Sequence, residues 1–229
     1  HDAPDAYLTQ LGLYEEKLST DFSDKPGNWA MNIGNEQEII ARKLLSVQFN
    51  MENGTEETFE QKWFVHPELE IIRASVDGCT HDGKVIAEFK FQGVEQHNRV
   101  ADESLPIRGG RVIEKYWIQC QHGLLASGAE SCIFGSRNPK MPKDLLTVTI
   151  LPDFEFQKKH VTACVKFWKD HVLAKVPPKE SARDYKELRK KGAKGMAKKY
   201  LALVAKQKEL KEKADDIKTQ LLEMADHNR

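Results

Sequence analysis

The segment Arg73–Phe91, RASVDGCTHDGKVIAEFKF, predicts two β-strands joined by a tight turn. The first strand ends at Val76, the chain turns at His81–Gly83, and the second strand covers Val85–Phe91. Asp-Gly pairs and glycine-containing connections between β-branched and apolar residues are the strongest short-range signal for a hairpin. We therefore expect the rest of the fold to be organised around this hairpin.

The second strand carries two opposite charges on one of its faces. Because successive side chains alternate across a strand, Glu88 and Lys90 point to one side, and Phe89 and Phe91 point to the opposite layer. The hairpin can also bring Asp77 beside the charged face. The sequence therefore predicts two carboxylates and one ammonium group together on an otherwise apolar sheet.

Two carboxylates on a half-buried surface repel each other and lose hydration. Mg²⁺ relieves this repulsion, because it prefers hard oxygen ligands and keeps several waters. Such an ion activates a bound water and neutralises charge on a phosphate, while a lysine orients the nucleophile. The Asp…Glu-x-Lys pattern therefore suits phosphodiester hydrolysis. The spacing alone is a weak signal, because Glu-x-Lys recurs three times, at Glu15–Lys17, Glu60–Lys62 and Glu209–Lys211, and a solvated salt bridge is the alternative.

Four blocks of the chain resemble the YqaJ-like viral recombinase and lambda-exonuclease family, a branch of the PD-(D/E)xK nucleases. They match, in order, its Gly-x-x-x-Glu-x-x-Ala-Arg helix, its His-Pro-Glu … Ala-Ser-Pro-Asp-Gly run, its Glu-hydrophobic-Lys strand and its Tyr-x-x-Gln-x-Gln helix. The matching residues are Gly34–Arg42, Phe64–Glu68 with Ala74–Gly78, Glu88–Lys90 and Tyr116–Gln121. The ordered combination is far more specific than any single block.

The resemblance extends from about Leu18 to Leu173 and departs from the family at two places. Val76 replaces the usual proline, and Phe91-Gln92 replaces the common Cys-Pro. Neither change removes a metal ligand. The resemblance implies an α/β fold with a restriction-endonuclease-like core, in which helices flank a central mixed β-sheet, followed by a C-terminal charged helical extension.

The activity that the resemblance implies is a phage-type recombination exonuclease that needs Mg²⁺, with Mn²⁺ as a substitute. It would digest one strand of double-stranded DNA, 5′ to 3′, and leave a 3′ overhang. The implied site consists of catalytic Lys90, Glu38 and Gln121, and of a metal site formed by Asp77, Glu88 and the backbone carbonyl of Phe89.

Three of the site residues have open alternatives. Glu38 is either a metal contact, direct or through water, or a surface glutamate paired with Arg42 at i+4. Gln119 and Gln121 cannot closely share one helix face, and the family pattern favours Gln121 for the site. The presence of a glutamate or a glutamine at these positions does not by itself distinguish between these alternatives.

The segment Gln92–Arg111 is predicted to be a long polar loop that touches the DNA backbone through its arginines. A solvated loop without function is the alternative. The DNA-binding residues expected from this segment and from the resemblance are Ser75, Gln119, Arg99, Arg108 and Arg111.

Hydrophobic periodicity predicts the remaining elements. Helices are expected over residues 6–18, 29–49, 112–127 and 154–175, and strands over residues 59–65, 70–74, 131–136 and 145–151. Val176-Pro177-Pro178 ends the last of these helices. We therefore predict a nuclease domain over residues 1–178 and a basic helical extension over residues 179–229.

The extension is helix-forming, and between Arg183 and Lys213 basic residues, including Lys190 and Lys191, outnumber acidic ones by about three to one. Apolar residues recur with 4-3 spacing, and the phase breaks once between Val204 and Leu210. Three roles remain open for this helix: packing against the nuclease core, a coiled-coil contact between chains, and a basic arm that follows DNA.

Composition excludes several protein classes. The formal net charge is zero, so a DNA-binding surface must come from local segregation of charge. No signal peptide or membrane-spanning run is apparent, and we expect a protein of the bacterial host cytosol. Four scattered cysteines are predicted to be reduced thiols that form no disulfide, zinc or iron–sulfur site: Cys79, Cys120, Cys132 and Cys164.

The resemblance also implies partners, namely double-stranded DNA, two further copies of the chain in a homotrimer, and a single-strand annealing protein. The family's basic segment that grips the 5′-terminal phosphate has no counterpart in His1–Lys25. Alternatives are a sequence-specific or structure-specific endonuclease, a non-catalytic DNA-binding or scaffold protein, and an adaptor that assembles partners through its helical tail.

Overall fold

A computed structural model of the chain describes residues 8–19, 29–184 and 192–226. The chain divides into two compact units, residues 1–180 and 181–229. The predicted start of the first helix at Ala6 lies outside the described residues, as do Lys190 and Lys191. The assignment of functions to the two predicted domains stays a prediction.

The first unit contains five α-helices and six strands among its described residues. In chain order they are α1 (Gln10–Leu18), α2 (Trp29–Asn53), β1 (Lys62–Val65), β2 (Arg73–Val76), β3 (Gly78–Cys79), β4 (Val85–Phe91), α3 (Val94–Ala101), α4 (Glu114–Ser127), β5 (Ser131–Arg137), β6 (Leu145–Ile150) and α5 (Phe154–Phe167). A π-helical segment, Trp168–Leu173, continues α5, and a 3₁₀ turn, Ala182–Asp184, begins the second unit.

The main sheet has the order β3-β4-β5-β6 and mixes strand directions. Strand β4 is antiparallel to β3 and parallel to β5, and β6 is antiparallel to β5. The predicted mixed sheet flanked by helices is thus confirmed. Because β4 has a neighbour on both sides, its backbone groups are paired and its position is fixed from both edges.

The predicted hairpin is confirmed in its turn and second strand, but its first strand belongs to two sheets. Gly78 and Cys79 of β3 pair with β4. Strand β2 pairs instead with β1 in a separate antiparallel sheet, where Ser75 lies opposite Trp63. The chain passes from the small sheet into the main sheet at Asp77, the residue between β2 and β3.

Helices α2 and α4 cover the two faces of β4. Ala87 and Phe89 pack with Ala41 and Leu45 of α2, whereas Ile86 belongs to the cluster that contains Trp117, Cys120 and Leu124 of α4. The alternation therefore holds as far as Phe89. Phe91 lies at the end of the strand, where it is 50% exposed and lines a cleft with Phe89 and with Gly34 of α2.

The predicted long loop between β4 and α4 is wrong, because part of it forms α3. His97 and Val100 lie three residues apart on one side of this helix and are fully buried. The His97 imidazole contacts Ser136 Oγ at 3.0 Å and the Lys143 carbonyl oxygen at 2.8 Å. Polar side chains dominate α3, so its buried face was too narrow to be recognised from hydrophobic periodicity.

The described part of the second unit consists of the 3₁₀ turn and a single long helix, α6 (Ala193–Asp226). Its 34 residues correspond to a length of about 50 Å. Among the described residues, no helix combines the length and the apolar character that a membrane span requires.

We expect Gly135→Ala to destabilise the protein, because β5 approaches the Phe89 ring too closely for a side chain. A Cβ at Gly135 would lie 2.6 Å from Phe89 Cδ1 and 3.2 Å from Leu145 Cδ1. Overpacking of this kind costs about 1–3 kcal/mol, which a urea unfolding curve can measure. The matched control is Gly34→Ala in α2, where nothing lies within 4 Å of the new methyl group; it should be neutral or stabilise by up to about 1 kcal/mol. Equal effects of the two substitutions would contradict the packing argument.

Candidate active site

Asp77 is fixed by three hydrogen bonds at the junction between the two sheets. Its N–H donates to the Ala87 carbonyl at 3.1 Å, and its own carbonyl accepts from Arg42 Nη1 at 2.8 Å. Its carboxylate oxygen Oδ2 accepts from the Phe89 N–H at 2.8 Å. The side chain therefore lies directly against β4 at the point where the charged residues of that strand begin.

Glu88 and Lys90 form an ion pair on β4 through Glu88 Oε1 and Lys90 Nζ. Their contact confirms that the two side chains share one side of the strand. Glu88 is only 4% exposed, and Lys90 Nζ lies 5.4 Å from the centre of the Tyr116 ring of α4. The ammonium group thus has a carboxylate and an aromatic face as neighbours.

Burial and mutual repulsion perturb the carboxylates of this site. Burial, followed by the nearby charge of Asp77, raises the pKa of Glu88 to about 7, although Lys90 opposes this shift. Burial likewise raises the pKa of Asp77, although the Phe89 N–H and the Lys90 charge favour its ionised form. Burial lowers the pKa of Lys90, but the three carboxylates Glu88, Asp77 and Glu38 outweigh it, so the net shift is upward.

Glu38 lies on α2 but interacts electrostatically with Asp77 and Lys90 of this site. Burial and then the charge of Asp77 raise its pKa, and Lys90 and Arg42 partly offset them. The alternative in which Glu38 pairs with Arg42 is not realised, because no ion pair between these two described residues is found and Arg42 donates to Asp77 instead. Glu38 and Lys90 line one cleft, together with Gln37, Phe91 and Arg137.

The donor set around Asp77 and Glu88 suits a hard divalent cation. Asp77 Oδ1 and Glu88 Oε2 take no part in the hydrogen bonds that fix the two side chains. The site contains more carboxylates than cations, and the pKa values of its carboxylates are raised. A bound cation would reduce the repulsion between these carboxylates. Within the described ranges, no group of three or more His, Cys, Asp or Glu side chains is arranged to hold a metal. A hard cation held by two carboxylates would keep several waters as its remaining ligands, and the Phe89 carbonyl stays a predicted further ligand.

Gln121 does not reach this site, so its predicted catalytic role is corrected. The residue is fully buried. Its Nε2 donates to the Leu151 carbonyl at 2.8 Å, and its Oε1 accepts from the Asp153 N–H at 2.9 Å and from Gln157 at 3.1 Å. Gln119, two residues earlier on α4, is exposed and lines a second cleft that also contains Glu88. Helix α4 therefore exposes Gln119 to this cleft and buries Gln121.

The residues predicted to contact DNA fall into two groups. Ser75 lies on β2 and lines the same cleft as Glu88 and Gln119. The three arginines line neither cleft and have partners within the same segment or at the start of α4: Arg99 Nη2 with the Gly109 carbonyl, Arg108 with Glu114 and the Trp117 ring, and Arg111 Nε with the Val100 carbonyl. DNA contact by these arginines stays a prediction, while the structure gives them a role in fixing the connection between α3 and α4.

Arg137 is a cation of the cleft that sequence reasoning missed. It ends β5, where it lies opposite Phe91 of β4, and its side chain pairs with Asp144. Arg137 is 5% exposed, and its Nε has no hydrogen-bond partner among the described residues. The parallel register of β4 and β5 brings it near Lys90, and no local sequence pattern reveals that register.

The chain is similar to known phage and exonuclease proteins. The sequence model of the YqaJ-like viral recombinase domain matches residues 4–130. The solved structure of an alkaline exonuclease (LHK-Exo) from Laribacter hongkongensis has a TM-score of 0.53 and 22% identity, over 66% of this chain and 73% of that chain. LHK-Exo in complex with dAMP has a TM-score of 0.54 and 22% identity, over 67% and 73%.

A phage-related exonuclease from Haemophilus somnus 129PT matches at 18% identity with a TM-score of 0.49, over 71% of this chain and 80% of that chain. No curated protein sequence matches the chain. At these levels of identity, the LHK-Exo structures establish a shared fold, and the domain match establishes the family.

Glu88 should make the metal-free protein less stable as the pH rises. Its pKa is about 7 in the fold, above the ordinary value of 4.5, so its contribution is fully present below pH 4.5 and is lost as the pH rises through about 7. The shift corresponds to about 3 kcal/mol at most. Urea unfolding in chelator should show the wild type losing stability relative to Glu88→Gln over this range. If the stability of the two proteins changed with pH in the same way, the raised pKa of Glu88 would be contradicted.

Gln121→Ala should destabilise the protein by about 2–3 kcal/mol, because it leaves buried backbone groups of Leu151 and Asp153 without partners. Gln119→Ala, on the same helix but exposed, should change stability by less than about 0.5 kcal/mol. Thermal and urea unfolding of both variants provide the measurement. A larger loss in Gln119→Ala would mean that α4 is rotated relative to its position here.

Proposed function

Since the chain belongs to the YqaJ-like viral recombinase family, we propose that it is a metal-dependent deoxyribonuclease of phage recombination type. It digests one strand of double-stranded DNA from the 5′ end and leaves a 3′ single-stranded overhang. One observation carries the proposal: the ion pair of Glu88 and Lys90 lies on the strand whose Phe89 N–H holds the Asp77 carboxylate. This is the arrangement that the Asp…Glu-x-Lys pattern requires.

Asp77 and Glu88, with the Phe89 carbonyl, would hold Mg²⁺, and Mn²⁺ is the expected substitute. The bound ion would lower the pKa of a coordinated water and neutralise charge on the phosphate. The fit rests on two carboxylates with raised pKa values and with one oxygen each outside the fixing hydrogen bonds. These donors are hard oxygens, as Mg²⁺ prefers.

The chain's own residues supply positioning and charge. Lys90 orients the attacking water and offers an ammonium donor to a phosphate oxygen. Burial keeps its surroundings at a low effective dielectric, so its charge acts more strongly than it would in water. Glu38 assists from the facing helix, where burial and the Asp77 charge raise its pKa and so make it a better proton acceptor than an exposed carboxylate.

DNA is proposed to lie across the two clefts that flank the site. Ser75 and Gln119 are candidate contacts in the cleft that contains Glu88, and Arg137 is one in the cleft that contains Lys90. Phosphate contacts from such residues set the position of the strand and carry no base specificity. A similar solved structure contains dAMP, and a deoxynucleoside monophosphate is the product expected from stepwise removal of terminal nucleotides.

The remaining parts of the proposal rest on family membership alone. They are a homotrimeric ring around the duplex, transfer of the overhang to a single-strand annealing protein, and action in the cytosol of a bacterial host.

We expect the protein to digest linear duplex DNA in Mg²⁺ and to leave covalently closed circles intact. With the label at the 5′ end, a labelled mononucleotide should appear at once; with the label at the 3′ end, labelled strands should shorten gradually. Electrophoresis of timed samples, with chelator as a blank, measures both. Cutting of closed circles would indicate an endonuclease instead, and early release of the 3′ label would reverse the polarity.

The same assay with Lys90→Ala should show a rate at least about 10²-fold lower, while circular dichroism and DNA binding are retained. The control is Lys84→Ala, immediately before the same strand, because Lys84 is exposed and pairs with Glu130 at 3.5 Å on the surface. Its rate should stay within about twofold of wild type. DNA binding without metal-dependent digestion in the wild type would favour a non-catalytic protein.

A further inference from the structure

The small β1–β2 sheet has one buried face and one open face. Residues directly opposite each other in an antiparallel pair share a face, and neighbours along a strand alternate between faces. The buried face consists of Phe64, Ala74 and Val76, which pack in the apolar clusters that also contain residues of α4. The residues of the open face are Trp63, Val65, Arg73 and Ser75.

Trp63 is the largest side chain of the open face, and it is 74% exposed. It belongs to none of the three apolar clusters in the described part of the chain. By contrast, Trp117 of α4 is only 5% exposed. Since tryptophan normally buries most of its surface, the Trp63 ring contributes little to the core and is available to a ligand.

The register of the small sheet places Trp63 beside the candidate active site. Trp63 lies directly opposite Ser75, and Ser75 lines the cleft that contains Glu88 and Gln119. The Cβ atoms of such a pair are about 5 Å apart. Asp77 follows Ser75 by two residues, which is about 7 Å along an extended chain. The indole therefore lies at the border of the cleft, one strand away from the chain segment that leads into Asp77.

The two strands that carry the open face are basic. Strand β1 contains Lys62, strand β2 contains Arg73, and neither strand contains an acidic residue. Arg73 is exposed and lines the same cleft as Ser75. Its Nε donates to the Glu70 carbonyl at 2.7 Å, a bond in which the two terminal amino groups of the guanidinium take no part. An exposed aromatic ring flanked by cations is the combination that binds single-stranded nucleic acid, because the ring stacks on a base and the cations contact the backbone.

The size of the open face also favours a single base as its occupant. Its apolar part consists of Trp63 and Val65 alone, which is narrow for a contact with another protein or with a membrane. One indole ring matches one planar base, and its attraction to the base does not depend on which base is present.

We propose that Trp63 is a stacking platform for an unpaired DNA base at the border of the cleft that contains Glu88, and that Arg73 contacts a neighbouring phosphate. The inference rests on the proposed nuclease function and deepens it, because it identifies how one strand is held beside the site. A base that stacks on Trp63 is no longer paired with the other strand. The platform therefore stabilises the separated form of a duplex end.

The first test is binding of the full chain to a labelled single strand of about 12 nucleotides, measured by fluorescence anisotropy in chelator so that nothing is cut. Trp63→Ala should raise the Kd about tenfold, whereas Trp63→Phe keeps a ring and should stay within about threefold of wild type. The matched control is Phe154→Ala, because Phe154 is 75% exposed and lines neither cleft. Its Kd should change by less than about twofold.

Three results of this test would overturn the proposal. They are no binding of the single strand by the wild type, the same Kd for wild type and Trp63→Ala, and an equal loss in Phe154→Ala. Light scattering of the same samples adds a fourth: a lower mass of Trp63→Ala with unchanged DNA binding would make the open face a contact between copies of the chain. Because none of these measurements involves hydrolysis, this inference and the proposed nuclease activity fail separately.

The second test compares digestion in Mg²⁺ of two linear duplexes, one fully paired and one with unpaired bases at its end. On the fully paired duplex, Trp63→Ala should lower kcat at least about fivefold, because the variant no longer stabilises the separated end. On the duplex with an unpaired end, it should raise KM and leave kcat unchanged, because separation is no longer needed. An equal loss of kcat on both duplexes would mean that Trp63 supports the site in some other way, and the platform would be rejected.

Discussion

The hydrogen bond from the Phe89 N–H to the Asp77 carboxylate is the interaction on which the arrangement of the site depends. Asp77 is the residue at which the chain leaves the small β1–β2 sheet and enters the main sheet. The position of its side chain therefore depends on how the two sheets lie relative to each other. Arg42 of α2 also fixes the Asp77 carbonyl through a hydrogen bond. A shift of either sheet would move this carboxylate away from the Glu88–Lys90 pair.

The same arrangement is a source of instability that the remainder of the unit must offset. Glu88 is buried beside other carboxylates, and its pKa is raised to about 7, which means that the ionised form is disfavoured in the fold. A buried ion pair with Lys90 compensates for desolvation only in part. The strand that carries the charges is paired on both sides and covered by apolar clusters from α2 and α4. Buried charged groups inside an otherwise well-packed apolar core are typical of functional sites.

Much of this site could be predicted from sequence because side chains in a strand alternate between its two faces. The shared side of Glu88 and Lys90 and the burial of Phe89 follow from alternation alone. The choice between Gln119 and Gln121 did not follow, because the rotation of α4 is set by its contacts with Leu151 and Asp153, which are distant in sequence. Arg137 was missed for a related reason: its neighbour on β4 is decided by strand order and register. Helix α3 was missed because its buried face consists of one histidine and one valine.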